Sequence, residues 1–317
     1  MPSLPSLTQL RYLIALHEAR HFGRAAEQAC VTQSTLSASL RDLEDTLDVV
    51  LVERNRRHVV FTPIGEAAVE RARELISQAK DLVDLCASSR HPLTGEFRLG
   101  IIPTIAPFVL PKSLAKLRAA YPKLRLLLRE DLTAVCVERL VAGQLDAALI
   151  ALPYDLPPIL ETADLFEDEF LFVTADPKLG AANSPLPVDR IVPDQLLLLE
   201  DGHCLREHAL AACNMKEIRN PQAFAATSLI TLTQMVQSGL GNTLLPELAI
   251  AGGVLSGTSL YTRRFTPRGP ARTIAFAFRR TSARKHEIAE LGRIFAQARA
   301  FIGEARQKTA RKARRPA

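Results

Sequence analysis

The chain has 317 residues, 47% of them hydrophobic, and a formal net charge of +6. A length of this kind supports two or three modest cores rather than one, so more than one domain is expected. No run of about 18 apolar residues occurs, and the opening MPSLPSLTQLRYL has no charged segment leading into an apolar one, so a membrane span and a secretory leader are not expected and a cytoplasmic location is.

Residues 6–61 read as short helices, SLTQLRYLIALHEA, GRAAEQAC and QSTLSASLRDLEDTL, followed by the alternating stretch HVVFT. Three short helices and a small hairpin predict a winged helix-turn-helix. In the third helix Leu36, Leu40, Leu43 and Leu47 form one apolar stripe, and Ser34, Ser37 and Arg41 fall on the opposite face. Small hydroxyls and one Arg approach a major-groove wall without obstruction, so Gln33, Ser34, Thr35, Ser37 and Arg41 are candidate DNA contacts. Arg54, Arg56 and Arg57 are candidate phosphate contacts beside the wing. A solvated helix in a small bundle would show the same periodicity, and residues 1–62 carry seven basic and seven acidic side chains, so binding depends on where charge lies.

Pro63 opens a long helix to about Ser88, with Ala68, Ala72, Leu75, Ala79, Leu82 and Cys86 at alternating spacings of four and three. That seam predicts a dimerising helix, and packing on its own domain is the alternative. The polar segment SSRHPLTGE then marks a boundary. Beyond it FRLGII, LRLLLRE and LDAALIAL alternate with helical stretches near 107–120 and 132–142, the pattern of βαβ units and a parallel sheet. EFLFVTA, LLLLE, a helix after Ser228, NTLLP and SLYTRRF form a second set, and RTIAFAF with a helix near 284–304 returns to the first. The pI of 9.2 is a tail effect: Arg306, Lys308, Arg311, Lys312, Arg314 and Arg315 stand without an acid among them and equal the whole net charge. A solvated basic tail is expected there.

FGRAAEQACVTQSTLSASLRDLEDTLDVVLVER with FTPIGE resembles the helix-turn-helix and wing of LysR-type transcription regulators. Within that family GIIPTIAPFVLP, LEDGHCLREHALAAC and FAATSLITLTQMVQSGLGNTLLP are similar to the sensor domain of the peroxide-sensing OxyR branch, and the likeness runs from about residue 5 to 303. The resemblance implies an α/β chain with a winged helix-turn-helix at 5–62 and a linker and dimerisation helix at 63–91. It implies a redox-sensing domain at 92–303, built of two Rossmann-like lobes of periplasmic-binding-protein type, and a basic tail at 304–317. Lobe I would comprise 92–163 and 268–303, and lobe II 164–267. It also implies dimers assembling to tetramers, promoter DNA, RNA polymerase and a cellular thiol reductant as partners, and hydrogen peroxide as signal, with neither cofactor nor metal. By motif position Cys204 corresponds to the peroxidatic cysteine and Cys213 to the resolving one, with Thr104, Thr133, His203, Arg206 and Arg272 around the reactive sulfur. Asn242 departs from the family by replacing an aliphatic residue before TLLP.

A thiolate is the form that attacks peroxide, and cationic neighbours favour it, here His203 and Arg206 on either side of Cys204. The resulting sulfenic acid condenses with a second thiol. Should 205–213 be helical, the sulfurs stand roughly 13 Å apart at about 1.5 Å rise per residue, and that helix must unwind for a disulfide to close. Cys30, Cys86 and Cys136 are expected to be small core or seam residues. Three alternatives remain: a LysR-type regulator binding a small organic effector in the cleft through Thr104, Thr133 and Ser228, a thiol peroxidase, and a solute-binding protein. The helix-turn-helix speaks against an enzyme and the missing leader against the last.

Overall fold

A computed structural model describes residues 4–54, 59–88, 92–180, 184–212, 226–266 and 269–297. The chain divides into two compact units at about residue 90.

In the first unit, helices α1 (Leu7–Ala19), α2 (Phe22–Gln28) and α3 (Gln33–Leu47) precede a two-stranded antiparallel wing, β1 (Val52–Arg54) and β2 (Val59–Phe61), as expected. The Ser6 capping box starts α1, and the Thr32 side chain caps α3 by accepting from Thr35 N–H at 3.2 Å. Such a cap is worth about 1 kcal/mol. Leu36, Leu40 and Leu43 of α3 pack with Leu10, Leu13 and Leu16 of α1, each burial contributing roughly 2 kcal/mol. The stripe ends there: Leu47, expected to complete it, is exposed, because α3 closes at Asp48 in the left-handed region and the core has already turned away.

Helix α4 (Pro63–Ser88) spans the range read from the sequence. Val69 and Ala72 join the core of α1–α3, while Leu75, Leu82 and Val83 are exposed. One face of its N-terminal half therefore packs at home, and Leu75, Leu82 and Val83 are uncovered in the single chain.

The second unit holds a mixed sheet of seven strands. Strands β3 (Gly95–Ile101), β4 (Leu124–Glu130) and β5 (Ala147–Leu152) alternate with α5 (Ala106–Ala120) and α6 (Thr133–Val141). β3 runs parallel to β4 and β5. The fifteen-residue β6 (Leu160–Thr174) then runs through both halves of the unit. α7 (Pro177–Gly180), β7 (Leu186–Pro187), α8 (Cys204–Ala212), α9 (Leu229–Gln237), β8 (Thr243–Pro246), α10 (Glu247–Ala251), β9 (Tyr261–Arg263) and β10 (Phe265–Thr266) follow. The closing pair is β11 (Ala271–Arg279) and α11 (Lys285–Ala296).

The βαβ units and parallel sheet expected of the first set are formed by β3, β4 and β5. The rest of the sheet is antiparallel: β11 lies antiparallel to both β5 and β6, and β8 and β9 are antiparallel to β6. The single crossing of β6 and the return of β11 add these strands without further βαβ crossovers, which antiparallel pairing permits. One expectation needs correction: LLLLE forms no strand and makes only isolated bridges, Leu196 to Asn242 and Leu199 to Ala226. Its apolar side chains instead fill a core with Phe170, Phe172, Leu205, Ala209 and Leu232. Burial, rather than pairing, explains that apolar run.

Candidate redox site

The redox site forms where two strand ends meet a helix start. Thr104 lies in the loop after β3, Thr133 is the first residue of α6 after β4, and Cys204 is the first residue of α8. Carboxyl ends of strands in α/β sheets are the usual place for ligands, since loops there diverge. Ile102, Pro103, Thr104, Leu132, Thr133, Gly202, His203 and Cys204 enclose a cavity of about 10 Å³, room for a molecule close to the size of water. Gly202 has φ of +93°, a conformation that an L side chain would strain, and so turns the chain into α8. Leu205 and Ala209 anchor the other face of α8 in the core.

Arg272 of β11 supplies the charge at this site. It is fully buried, and its guanidinium donates from Nη1 to Thr104 Oγ1 at 2.8 Å and from Nη2 to the Thr104 carbonyl at 3.2 Å. Its Nε donates to Asp168 Oδ2 at 3.0 Å. Because Thr104 Oγ1 accepts from Arg272, its own hydrogen is left to point elsewhere. Thr133 Oγ1 is a second buried hydroxyl at the cavity wall and lies against the Cys204 sulfur, favouring its ionised form.

Burial pushes the Cys204 thiol above its ordinary value, and Glu207 adds to the rise. The Thr133 hydroxyl, the Arg272 charge and the Leu205 N–H pull the other way without overcoming it. The resting sulfur is thus held toward the thiol form, contrary to the expectation that its flanking residues make a thiolate. His203 lines the cavity, but burial lowers its pKa and leaves it a neutral imidazole. Arg206 is directed elsewhere, pairing with Asp201 at 2.8 Å and approaching the Leu199 carbonyl at 3.5 Å. The cation that acts on Cys204 is Arg272, sixty-eight positions away in sequence, and not its neighbour.

Thr104, Thr133, His203 and Cys204 come together as read from the sequence, with Arg272 joined through Thr104. Cys213 lies outside the described residues, as do Arg56, Arg57 and the side chains of Arg54 and Cys86. Ser228 caps α9, accepting from Thr231 N–H at 3.2 Å, and is absent from the cavity wall. Sequence reasoning missed Asp168 and His208. Asp168 stands directly across from Arg272 in the β6–β11 register, a pairing that no local motif announces. His208, one turn after Cys204, is buried with Nε2 at 2.8 Å from the Pro153 carbonyl.

On the first unit, Gln33, Ser34, Thr35 and Arg41 are exposed along α3, and Ser37 is half-buried. Thr35 and Ser34 hydroxyls also bond the capping Thr32, at 2.7 and 2.9 Å. Cys30 is exposed in the turn between α2 and α3 with φ of +55°, so it is not the core residue expected. Cys136 is fully buried, as expected, and burial with the nearby Asp131 pushes its thiol up to about 12.

Comparison with known proteins places these features. Residues 7–66 match the bacterial regulatory helix-turn-helix of the lysR family, and residues 90–302 match the LysR substrate binding domain. The HTH-type transcriptional regulator EstR of Acinetobacter baylyi is 43% identical over 91% of this chain and 95% of its own length. A hydrogen peroxide-inducible genes activator of Haemophilus influenzae is 37% identical over 86% of this chain and 90% of its own. A full-length OxyR variant from Pseudomonas aeruginosa shares the fold with a TM-score of 0.76 and 32% identity, covering 92% of this chain and 95% of that one. With both halves matched and relatives aligned over nearly its whole length, the chain belongs to the LysR family of transcription regulators.

Proposed function

We propose that the chain is a hydrogen-peroxide-sensing, DNA-binding transcription regulator of oxidative-stress genes, switched by a reversible Cys204–Cys213 disulfide. The observation that carries this reading is the cavity at Cys204, about 10 Å³ and bounded by the hydroxyls of Thr104 and Thr133. An organic effector needs a pocket of about 300–1,000 Å³, so the same residues are a poor fit to the effector alternative. Peroxide, with two heavy atoms and two hydroxyl groups, is far nearer to this size than an organic effector and suits the hydroxyl lining. The names of the Haemophilus and Pseudomonas relatives support the same signal.

In the reaction, the Cys204 sulfur attacks one peroxide oxygen and the oxygen–oxygen bond breaks. The thiol proton leaves with the distal oxygen as water, and Cys204 becomes a sulfenic acid. Thr104 donates toward the oxygens because Arg272 already occupies its acceptor side. Arg272 stabilises the negative charge that grows on sulfur and the departing oxygen. The Cys213 thiol then displaces water from the sulfenic acid and forms the disulfide. Helix α8 runs from Cys204 through Ala212, a rise of roughly 12 Å, and a disulfide needs Cα atoms within about 7 Å. Closure therefore unwinds α8 and frees Leu205 and Ala209 from their core. That rearrangement is the signal, carried to winged helices at 5–62 that read promoter DNA through α3 and anchor on Arg54, Arg56 and Arg57.

We also take 63–91 as the dimerising linker and 92–303 as the sensor, with lobe I at 92–163 and 268–303 and lobe II at 164–267. The protein works as a homodimer assembling to a tetramer in the cytoplasm, engages RNA polymerase, and is reset by a cellular thiol reductant. It turns over once per signal and is no peroxidase.

The test is non-reducing peptide mapping of reduced protein after brief exposure to low-micromolar peroxide, with Cys204→Ser as control. A Cys204–Cys213 disulfide that forms quickly and is absent in the control is expected. Free thiols at both positions, while the remaining cysteines react no more slowly, would overturn the proposal.

A further inference from the structure

Asp168 is among the most buried ionised groups of the described residues, and it belongs to no motif. It sits on β6 directly opposite Arg272 on β11. Its Oδ2 accepts from Arg272 Nε at 3.0 Å and lies 3.0 Å from Nη2. Its Oδ1 accepts from the Leu248 N–H at 2.9 Å, at the start of α10. Both side chains of the pair are shielded from solvent. Burying two charges is costly, and such a pair is often no more stable than apolar residues of equal volume. A role beyond stability is therefore worth seeking at the far end of the guanidinium, and there it holds Thr104.

We propose that Asp168 is a positioning residue for the Cys204 chemistry, holding the Arg272 guanidinium against Thr104 at the cavity wall. The two carboxylate oxygens divide the work: one is fixed by α10, and the other faces the arginine. An amide cannot do both. Asparagine in this place keeps one acceptor and turns an N–H₂ toward either Leu248 N–H or Arg272, two donors face to face. With Leu248 N–H fixed in a helix, the guanidinium is the partner that yields.

The consequence reaches Cys204 because Arg272 is the cation that favours its ionised form. The other titratable groups around this chain of contacts are Glu247 on α10, Glu207, His203 and His208 at the start of α8, and Tyr154 after β5. Glu247 shares Arg264 with Glu169, which the arginine bonds at 2.6 Å, and its remaining charge works against ionisation of Asp168. Glu207 opposes ionisation of Cys204, and both histidines are held neutral by burial. Among the described residues Arg272 is the cation that acts on Cys204, so its displacement is not made good by another.

This inference rests on Cys204 being the reactive thiol of the proposed sensor, so two probes are used on the full-length reduced chain. Iodoacetamide alkylation of Cys204, followed by mass spectrometry across pH, reads the thiolate directly. Peroxide oxidation of the same samples reads the sensing reaction. Asp168→Asn is expected to move the alkylation midpoint to higher pH and to slow alkylation at neutral pH by about 10-fold, the equivalent of one pH unit. Arg272→Gln should do the same, and Asp168→Asn in the Arg272→Gln background should add nothing, because the aspartate acts only through the arginine. Where Asp168→Asn alone does not fold, the doubly neutral variant compared with Arg272→Gln still decides the point. An unchanged or lowered midpoint in Asp168→Asn, or a further shift in the double variant, overturns the assignment. A parent protein whose Cys204 alkylates normally but ignores peroxide overturns the sensor reading instead, and the alkylation profiles still judge Asp168.

Discussion

Thr104 and Thr133 look equivalent in sequence, but the structure predicts unequal effects on stability of replacing each by valine. Thr104 Oγ1 is the acceptor for Arg272 Nη1 at 2.8 Å, and both side chains are buried. Thr104→Val strands that donor, at a cost of about 1–3 kcal/mol. The cost stays below the roughly 3–5 kcal/mol of a broken buried ion pair, since Nε and Nη2 keep Asp168. Thr133 Oγ1 is buried against the Cys204 sulfur and bonds no charged group among the described residues. Thr133→Val therefore strands no charged donor and should change stability by less than about 1 kcal/mol. Both variants lose a hydroxyl at the cavity wall, and on the proposed mechanism oxidation of Cys204 should slow by about 10²-fold in each. Urea unfolding in reductant measures the first effect, and trapping of the sulfenic acid over time measures the second. Equal destabilisation by the two substitutions, or a greater one in Thr133→Val, would refute the assignment of Thr104 as the arginine's anchor.

Cys136, its thiol pushed up to about 12, should resist alkylation at neutral pH until the protein is unfolded, whereas exposed Cys30 should react at once. Gly65→Ala places a Cβ 2.1 Å from the Leu51 carbonyl, backbone against backbone, and should destabilise the winged helix by roughly 1–3 kcal/mol, read as a lower urea midpoint and weaker DNA binding. His208 is held neutral by burial, its pKa below the ordinary 6.5. The unfolded chain then binds the proton more readily, so the stability due to His208 is present above pH 6.5 and is lost as pH falls below it. His208→Gln keeps an N–H for the Pro153 carbonyl and should flatten that acid loss in unfolding curves, without abolishing it, since His203 behaves alike.

Local pattern was enough to read much of this protein. The periodicity of Leu36, Leu40 and Leu43, the turn before Thr32 and the alternation after Arg57 determined a winged helix-turn-helix, because helix and hairpin signals span only a few residues. Pro63 and the 26-residue pattern after it determined α4. The string around Cys204 pointed to the thiol, and Thr104 and Thr133 were found because motif position carries them. Charge was where local reading failed. His203 and Arg206 adjoin Cys204 in the chain, yet one is neutral in its buried setting and the other pairs with Asp201. The effective cation, Arg272, and the carboxylate that holds it, Asp168, meet only because β6 and β11 pair antiparallel over more than a hundred intervening residues. LLLLE likewise looks like a strand, and only the surrounding core makes it a buried, unpaired run. Sequence alone determined which residue types stand at the reactive thiol. Tertiary structure decided which of them carry charge there, because ionisation depends on burial and distance in space, and neither follows from adjacency along the chain.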